Sequence, residues 1–266
     1  MGGVIHGEFE EAIASSLASL QCNSATDKFP RPPSSVGCYA VLYHYIIKKT
    51  MGIKDFFLDL LFPKSCFGCQ REGSYLCQDC LATLEVERTH QKYSPENLAD
   101  LYFAIPYQKP LIKNLILHFK YEPLIKELAK NLASLIIEHF QLLDNKPNFR
   151  DFILIPVPLE KRRLKWRGFN QAEEIAKELS KFLNLEVLNN VLIKIKETLP
   201  QVELSDKERK ENIKGAFEVK GRELIKNRKI LLVDDIYTTG STMAECSRVL
   251  KNAGAKKVIG IVIARG

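Results

Sequence analysis

Three short segments of the sequence each contain an uninterrupted apolar run. They are FILIPVP, KILLVDD and KKVIGIVIA, and they begin at residues 152, 229 and 256. A strand with one solvent-facing side alternates apolar and polar residues, and these runs do not, so each is predicted to be a strand buried on both faces of a parallel sheet. A fourth strand, LYFAIPY, is predicted from residue 101, and amphipathic helices are predicted over residues 110–121, 124–143 and 170–183. This alternation predicts an α/β fold with a doubly wound, mainly parallel sheet.

The rest of the sequence divides the chain into three parts. Residues 1–50 include a Pro-rich piece and show no sustained period, so we expect a poorly ordered extension or a misassigned start before Met51. Residues 51–92 are predicted to contain a helix and a cysteine module, and residues 93–266 the α/β domain. Within that domain, the basic stretch 194–229 has little clear structure.

Charge and hydropathy limit the classes of function. The net charge of +7 favours polyanionic partners but does not distinguish phosphorylated metabolites from nucleic acid. The most apolar early stretch, residues 38–47, is shorter than the roughly 20 residues that span a bilayer. Residues 1–16 lack the basic start and uninterrupted apolar run of a secretory signal. We therefore expect a cytoplasmic protein with no membrane span.

The strand KILLVDD ends in two adjacent carboxylates, Asp234 and Asp235, shortly before a hydroxyl-rich turn. The turn consists of Thr238, Thr239, Gly240, Ser241 and Thr242. Its hydroxyls, with backbone N–H groups at a helix start, can surround a phosphate, and the carboxylates can bond ribose hydroxyls directly or through hydrated Mg²⁺. Because ligands bind at such strand ends, the segment predicts a site for a phosphorylated ribose. The structural alternative is that the acids end a strand and the hydroxyls cap a helix.

A dense basic segment follows the strand FILIPVP. Five cations lie within seven residues, at Lys161, Arg162, Arg163, Lys165 and Arg167. This density suits a diphosphate or a nucleic-acid backbone, while a solvated surface run is the alternative. Trp166 is the one aromatic residue inside the segment, which argues against a base-stacking platform for single-stranded DNA. Asn170, just beyond it, is predicted to cap the next helix.

Four of the seven cysteines form a CxxC, seven-residue gap, CxxC pattern, at Cys66, Cys69, Cys77 and Cys80. Each pair makes a tight knuckle that can present two thiolates to one Zn²⁺. Four sulfur ligands leave no open position for a catalytic water, so a structural zinc site is predicted. The alternatives are two disulfides or idle thiols, and a reducing cytoplasm disfavours the disulfides.

Two motifs resemble known families. The segment VDDIYTTGST, from residue 233, closely resembles the phosphoribosyl-pyrophosphate (PRPP) loop of type I phosphoribosyltransferases. The segment IPVPLEKRRLKWRGFNQA, from residue 155, resembles the competence protein ComF family within that superfamily. The cysteine module shares that resemblance, as do Gln201, Leu204, Arg209, Asn212, Gly215 and Phe217. Together these features cover residues 56–266.

The resemblance implies a type I phosphoribosyltransferase fold with a small N-terminal zinc ribbon. The acidic pair would contact the ribose of PRPP, and the loop of residues 238–242 would hold its 5-phosphate. The strand end at Pro156, Val157 and Pro158 would supply the pyrophosphate loop. Arg163 and Arg167 are candidate contacts on that side, with Mg²⁺ neutralising the diphosphate. Residues 201–217 would lie where the superfamily carries the variable hood that selects the nucleophile.

Two functions stay open. One is a PRPP-binding protein of the ComF type that uses Mg²⁺ and takes part in natural competence, with single-stranded DNA and a DNA-translocating competence protein as partners. The other is an active phosphoribosyltransferase of nucleotide metabolism or salvage with no DNA role. The combination of acidic pair, phosphate cradle and pyrophosphate loop favours retained chemistry. The sequence does not define the acceptor.

Overall fold

The computed structural model describes residues 63–90, 92–95, 97–198 and 206–266. These residues belong to one compact unit. The predicted extension over residues 1–50 and the predicted helix before Pro63 lie outside the described residues, and the division of the chain at residues 92 and 93 stays a prediction. Within the described part of the chain, every helix is too short or too polar to cross a membrane.

The described elements alternate between strands and helices for most of the chain. They are α1 (Gln78–Ala82), β1 (Asp100–Pro106), α2 (Pro110–Lys120), α3 (Leu128–Leu142), β2 (Phe152–Pro156), α4 (Lys161–Arg167), α5 (Gln171–Leu183), β3 (Leu192–Lys194), α6 (Asp206–Ile213), β4 (Phe217–Val219), a 3₁₀ helix (Arg222–Leu224), β5 (Lys229–Val233), β6 (Ile236–Tyr237), α7 (Ser241–Asn252) and β7 (Lys257–Arg265). The four predicted strands correspond to β1, β2, β5 and β7, and the three predicted helices to α2, α3 and α5.

The main sheet is parallel, as the sequence predicts. Its strand order is β1-β7-β5-β2, and the short β6 also pairs with β7. In register, Leu154 of β2 pairs with Leu231 of β5, which pairs with Ile259 of β7. A separate two-stranded antiparallel sheet joins β3 to β4.

Apolar side chains cover both faces of the main sheet, which explains why apolar and polar residues do not alternate along its strands. Leu154 and Leu231 lie in one core with residues of α2, α3 and α5. Their neighbours Ile153 and Ile230 lie in a second core with residues of α7 and of the β3–β4 sheet. Leu76, from the cysteine module, also belongs to the first core, so the module packs on the α2 and α3 side.

Two predicted boundaries differ from the structure. The stretch 194–229, predicted to have little structure, contains α6, β4 and the 3₁₀ helix. Its pattern is weak because α6 is almost entirely polar and β4 is only three residues long. The helix predicted from residue 124 begins instead at Leu128, since Leu124 has a φ of 57°, which is not helical.

The basic segment forms the short helix α4, which ends at Gly168 with a φ of 75°.

Candidate functional site

The predicted site residues meet around one cavity of about 560 Å³. The parallel pairing of β2 with β5 sets Pro156 beside Val233, so the segments that follow these two strands lie at the same edge of the sheet. Of the predicted residues, those that line the cavity are Val157, Pro158, Arg163, Arg167, Asp234, Asp235, Thr238, Thr239, Gly240, Ser241 and Thr242. Pro156 does not line it, because it is the buried last residue of β2.

The acidic pair lies where the chain leaves β5. Asp235 is only 5% exposed, and its Oδ1 accepts hydrogen bonds from the N–H of Ile236 at 2.7 Å and from Nζ of Lys120 at 2.8 Å. Oδ1 of Asp234 accepts from the N–H of Asp235 at 2.9 Å. Burial, followed by repulsion from Asp235, raises the pKa of Asp234 to about 7. Additional donors or a cation at this pair are therefore favourable.

The hydroxyl-rich loop turns directly into α7. Gly240 has a φ of 75°, in the left-handed region that favours glycine, and the helix begins at Ser241. The hydroxyls of Thr239 and Ser241 lie 3.1 Å apart. A helix start leaves N–H groups without intrahelical partners, and its dipole favours an anion. Loop and helix together form a suitable cradle for a phosphate.

Tyr237 supports this loop from the buried side. Its ring is 6% exposed, and its Cε2 atom would lie 2.7 Å from a Cβ placed on Gly240. The ring meets that of Tyr93 edge-on at a centroid distance of 6.1 Å, and the Arg265 guanidinium lies 4.1 Å from the Tyr93 centroid. Burial and a hydrogen bond with Tyr93 raise the pKa of Tyr237, so the phenol stays neutral. The position of the loop therefore depends on a glycine at residue 240.

Arg167 and Arg163 of α4 line the cavity from the basic side. Nη1 of Arg167 donates to Oε1 of Gln171 at 3.1 Å, and its guanidinium lies 5.4 Å from the ring centroid of Tyr121. Its Nε is buried and has no hydrogen-bond partner among the described residues. Nε of Arg163 lies 3.9 Å from Oε2 of Glu160. A partly buried guanidinium whose Nε donor is unused is suited to bind an anion.

Asn170 connects the segment after β2 to the start of α5. Its Oδ1 accepts from the N–H of Ala172 at 3.2 Å, which confirms the predicted N-cap. Its Nδ2 donates to the carbonyl of Val157 at 3.0 Å, and the N–H of Val157 donates to the carbonyl of Val233 at 2.8 Å. This second role, which the sequence did not indicate, fixes the segment after β2 in place.

Several residues that line the cavity are not predicted from the sequence, among them Lys120, Tyr121 and Lys194. Lys120 is the last residue of α2, and Tyr121 is the C-cap that follows it. Lys194 is the last residue of β3, and its Nζ donates to Oγ1 of Thr198 at 2.7 Å. Burial, followed by repulsion from Arg163, lowers the pKa of Lys194. The available signal for Lys120 was the FKYE ending of α2, where a lysine stands between two aromatic residues.

The four cysteines predicted to bind metal come together as predicted. Their Sγ atoms all lie within 4.8 Å of one another, and Sγ of Cys77 lies 3.6 Å from Sγ of both Cys66 and Cys69. These distances are too long for disulfides of about 2.0 Å but close to the roughly 3.8 Å between sulfurs on a tetrahedral zinc ion. Burial tends to raise the pKa of Cys66, but backbone N–H groups, chiefly that of Cys77, lower it to about 6. The donor set fits zinc.

Comparisons with known proteins agree with this architecture. A family model described as a phosphoribosyl transferase domain matches residues 164–266. Competence protein F of Haemophilus influenzae is 40% identical over 106 residues, which cover 40% of this chain and 46% of that protein. DNA utilization protein YhgH of Salmonella typhimurium is 30% identical over 200 residues, covering 73% and 85% of the two chains. Competence protein ComFC of Streptococcus pneumoniae is 29% identical over 198 residues, covering 73% and 78%.

The extent of these matches differs. The chain spans about half the length of the relatives that it matches at 38–40% identity, since 45–46% of each is covered. The Salmonella match, in contrast, includes most of both chains. With a phosphoribosyl transferase domain that includes the acidic pair and the hydroxyl-rich loop, the chain belongs to the ComF family of phosphoribosyltransferase-like proteins.

Proposed function

We propose that this protein binds PRPP with Mg²⁺ in the cavity and takes part in handling DNA during natural competence. The observation that carries the first part is the convergence of three chemically different groups on one cavity. The acidic pair suits ribose hydroxyls, the loop at the start of α7 suits the 5-phosphate, and Arg163 and Arg167 suit the diphosphate. PRPP combines these three groups in one molecule.

Mg²⁺ fits this site because it prefers oxygen ligands and keeps several of its waters. Asp234 and Asp235 would hold it together with the ribose hydroxyls, and a cation there would offset the burial and the repulsion from Asp235 that raise the pKa of Asp234. When bound, Mg²⁺ supplies charge that neutralises the diphosphate. The protein would orient the ribose through the acidic pair and bind the diphosphate through Arg163 and Arg167.

Thermal-shift titration tests PRPP binding. PRPP with Mg²⁺ should raise the melting temperature, because a ligand at 100 times its Kd stabilises the native state by about 2.7 kcal/mol. The variants Asp234→Asn and Asp235→Asn should lose the ligand-induced rise, measured from each variant's own melting temperature. Asp151→Asn is the matched control, since Asp151 is exposed at 78% and bonds Lys229 at 3.0 Å, away from the cavity. A folded wild-type protein that shows no rise would refute the proposal.

The DNA-handling part is supported by the names of the relatives and by an aromatic rim at the cavity. The rim consists of the rings of Tyr121 and Trp166, which both lie near Arg167. Tyr121 is 43% exposed and Trp166 is 52% exposed. The guanidinium of Arg167 lies 5.4 Å and 5.9 Å from their respective ring centroids. From the sequence, Trp166 is the one aromatic residue of the basic segment, because Tyr121 lies just after α2, in a different part of the chain. Base stacking on such rings contributes about 1–3 kcal/mol per base.

Binding of a fluorescent oligothymidine tests the rim. Trp166→Ala and Tyr121→Ala should each weaken binding by roughly 5- to 150-fold, as expected for the loss of one stacked base. Phe182→Ala is the control, because Phe182 is an aromatic side chain 45% exposed on α5 that does not line the cavity. Equal affinities for all three variants and the wild type would rule out base stacking at the rim.

An active phosphoribosyltransferase without a DNA role is the second candidate. It is favoured by the β3–β4 sheet and α6, which contribute Lys194, Ile213 and Phe217 to the same cavity. These residues form a wall against which an acceptor substrate could bind. Release of pyrophosphate from PRPP in the presence of a panel of bases and amines would support this function. If PRPP binds but no acceptor releases pyrophosphate, the binding role without transfer is favoured.

We propose further that the four cysteines hold one structural Zn²⁺. The support is a compact four-sulfur donor set with no room for a catalytic water. Elemental analysis should find about one zinc per chain, and a chelator should lower the melting temperature, because metal binding contributes to folding free energy. A metal-free preparation with an unchanged melting temperature would contradict the proposal.

A further inference from the structure

Lys120 is a largely buried cation at the acidic end of the cavity. It is the last residue of α2, its side chain is 24% exposed, and its Nζ lies 2.8 Å from Oδ1 of Asp235. The two side chains form an ion pair that is mostly withdrawn from solvent, since the Asp235 side chain is only 8% exposed.

The end of α2 is also connected to the basic side of the cavity. The carbonyl of Phe119 accepts from Nε2 of Gln171 at 3.0 Å, and Oε1 of the same glutamine accepts from Nη1 of Arg167 at 3.1 Å. Lys120, Arg163 and Arg167 line the same cavity. Lys120 therefore bonds Asp235 in the same cavity that the two arginines line.

Binding of PRPP would change the hydrogen-bond partners available to Asp235. Ribose hydroxyls, or water molecules of Mg²⁺, donate to carboxylates and so compete with Lys120 for the same oxygen atoms. An ammonium displaced from Asp235 needs another anion, since a buried charge without a partner is strongly destabilising. The diphosphate supplies that anion, and the flexible four-carbon stem of lysine allows the ammonium to turn toward it.

We propose that Lys120 exchanges partners when PRPP binds, leaving Asp235 and donating to an oxygen atom of the diphosphate. The inference rests on the proposed function. It makes Lys120 a ligand-contacting residue, and it gives the site a means of discrimination. Ribose 5-phosphate competes for Asp235 without offering the displaced ammonium a diphosphate, so it binds more weakly than PRPP.

Isothermal titration with three probes tests this exchange: PRPP with Mg²⁺, pyrophosphate with Mg²⁺, and ribose 5-phosphate. Lys120→Gln keeps a donor for Asp235 but removes the charge. This variant should lower the affinity for PRPP and for pyrophosphate on the order of 10- to 100-fold, as expected for the loss of one hydrogen bond between charged groups. Its affinity for ribose 5-phosphate should change by less than about threefold. Lys120→Arg should restore most of the pyrophosphate affinity, because it keeps the charge.

Lys130→Gln is the matched control, since Lys130 is exposed on α3 and does not line the cavity. It should bind all three probes like the wild type. An equal loss for pyrophosphate and ribose 5-phosphate in Lys120→Gln would mean that Lys120 only maintains the acidic pair, and it would overturn the exchange. Unchanged pyrophosphate affinity would overturn it as well. A wild type that binds none of the probes would instead refute the proposed function, on which the exchange depends.

Discussion

Replacing Gly240 by alanine tests whether Tyr237 fixes the hydroxyl-rich loop. Gly240 has a φ of 75°, and an added Cβ would overlap the Tyr237 ring, with its Cε2 atom 2.7 Å away. Tyr237 is 6% exposed and packs against Tyr93, so it has little freedom to move aside. The substitution therefore combines backbone strain with a steric conflict.

The two contributions can be separated by a second glycine. Gly168 also has a φ of 75°, but a Cβ there would meet no heavy atom within 4 Å. Gly168→Ala should therefore cost only the left-handed backbone strain, about 1–2 kcal/mol. Gly240→Ala should cost the same strain plus about 1–3 kcal/mol for forcing a methyl group into packed atoms, a total of about 2–5 kcal/mol.

Urea unfolding followed by circular dichroism measures both variants. In a Tyr237→Ala background the cost of Gly240→Ala should fall to that of Gly168→Ala, because the conflicting ring is gone and only the backbone strain remains. If the two glycine variants cost the same in the wild-type background, the ring does not constrain the loop and the explanation of Gly240 fails.

Three further predictions concern other parts of the chain. Gly68→Ala should lower the zinc content below about one per chain, since its Cβ would lie 2.6 Å from Sγ of Cys80; a full zinc complement would contradict this. Leu231→Ala should cost about 2–5 kcal/mol in urea unfolding, because Leu231 is fully buried in the sheet, and a cost below about 1 kcal/mol would be inconsistent with that burial. The pKa of Glu245 is lowered in the folded protein, chiefly by its hydrogen bond with Arg248. The ionised carboxylate therefore stabilises the fold fully at pH values above its ordinary pKa of 4.5, and this stabilisation is lost as the pH falls through the lower pKa of the folded state. The stability difference between wild type and Glu245→Gln should therefore shrink in acid, and a pH-independent difference would contradict the assignment.

The strands and the acidic loop were predictable because each has a complete local signal. Ile153 and Leu154 face opposite cores, so an apolar run without alternation follows directly from a strand covered on both sides. The acidic pair and the loop of residues 238–242 are contiguous in sequence, and they line one cavity. A site assembled from one continuous segment leaves its whole pattern in that segment.

Lys120 and Tyr121 left no comparable signal, because their significance depends on distances between remote segments. Lys120 matters through Asp235, which is more than a hundred residues away in the chain, and the sequence of α2 alone is that of an ordinary amphipathic helix. The same applies to the aromatic rim, where Tyr121, just after α2, and Trp166 of α4 both lie near Arg167. Side chains that meet only in the tertiary structure carry no fixed sequence spacing.

Glu245 shows how α7 connects the two ends of the cavity. The helix begins at the hydroxyl-rich loop, and one turn later Oε1 of Glu245 accepts from the N–H of Gly215 at 2.7 Å, at the turn between α6 and β4. Arg248 holds the same carboxylate with two hydrogen bonds of 2.7 Å each. α6 is mostly polar, so this contact adds to the buried Ile213 in anchoring that segment beside the cavity. Loss of the Glu245 carboxylate should therefore loosen the β4 side of the cavity, while the loop at the start of α7 keeps its support from Tyr237.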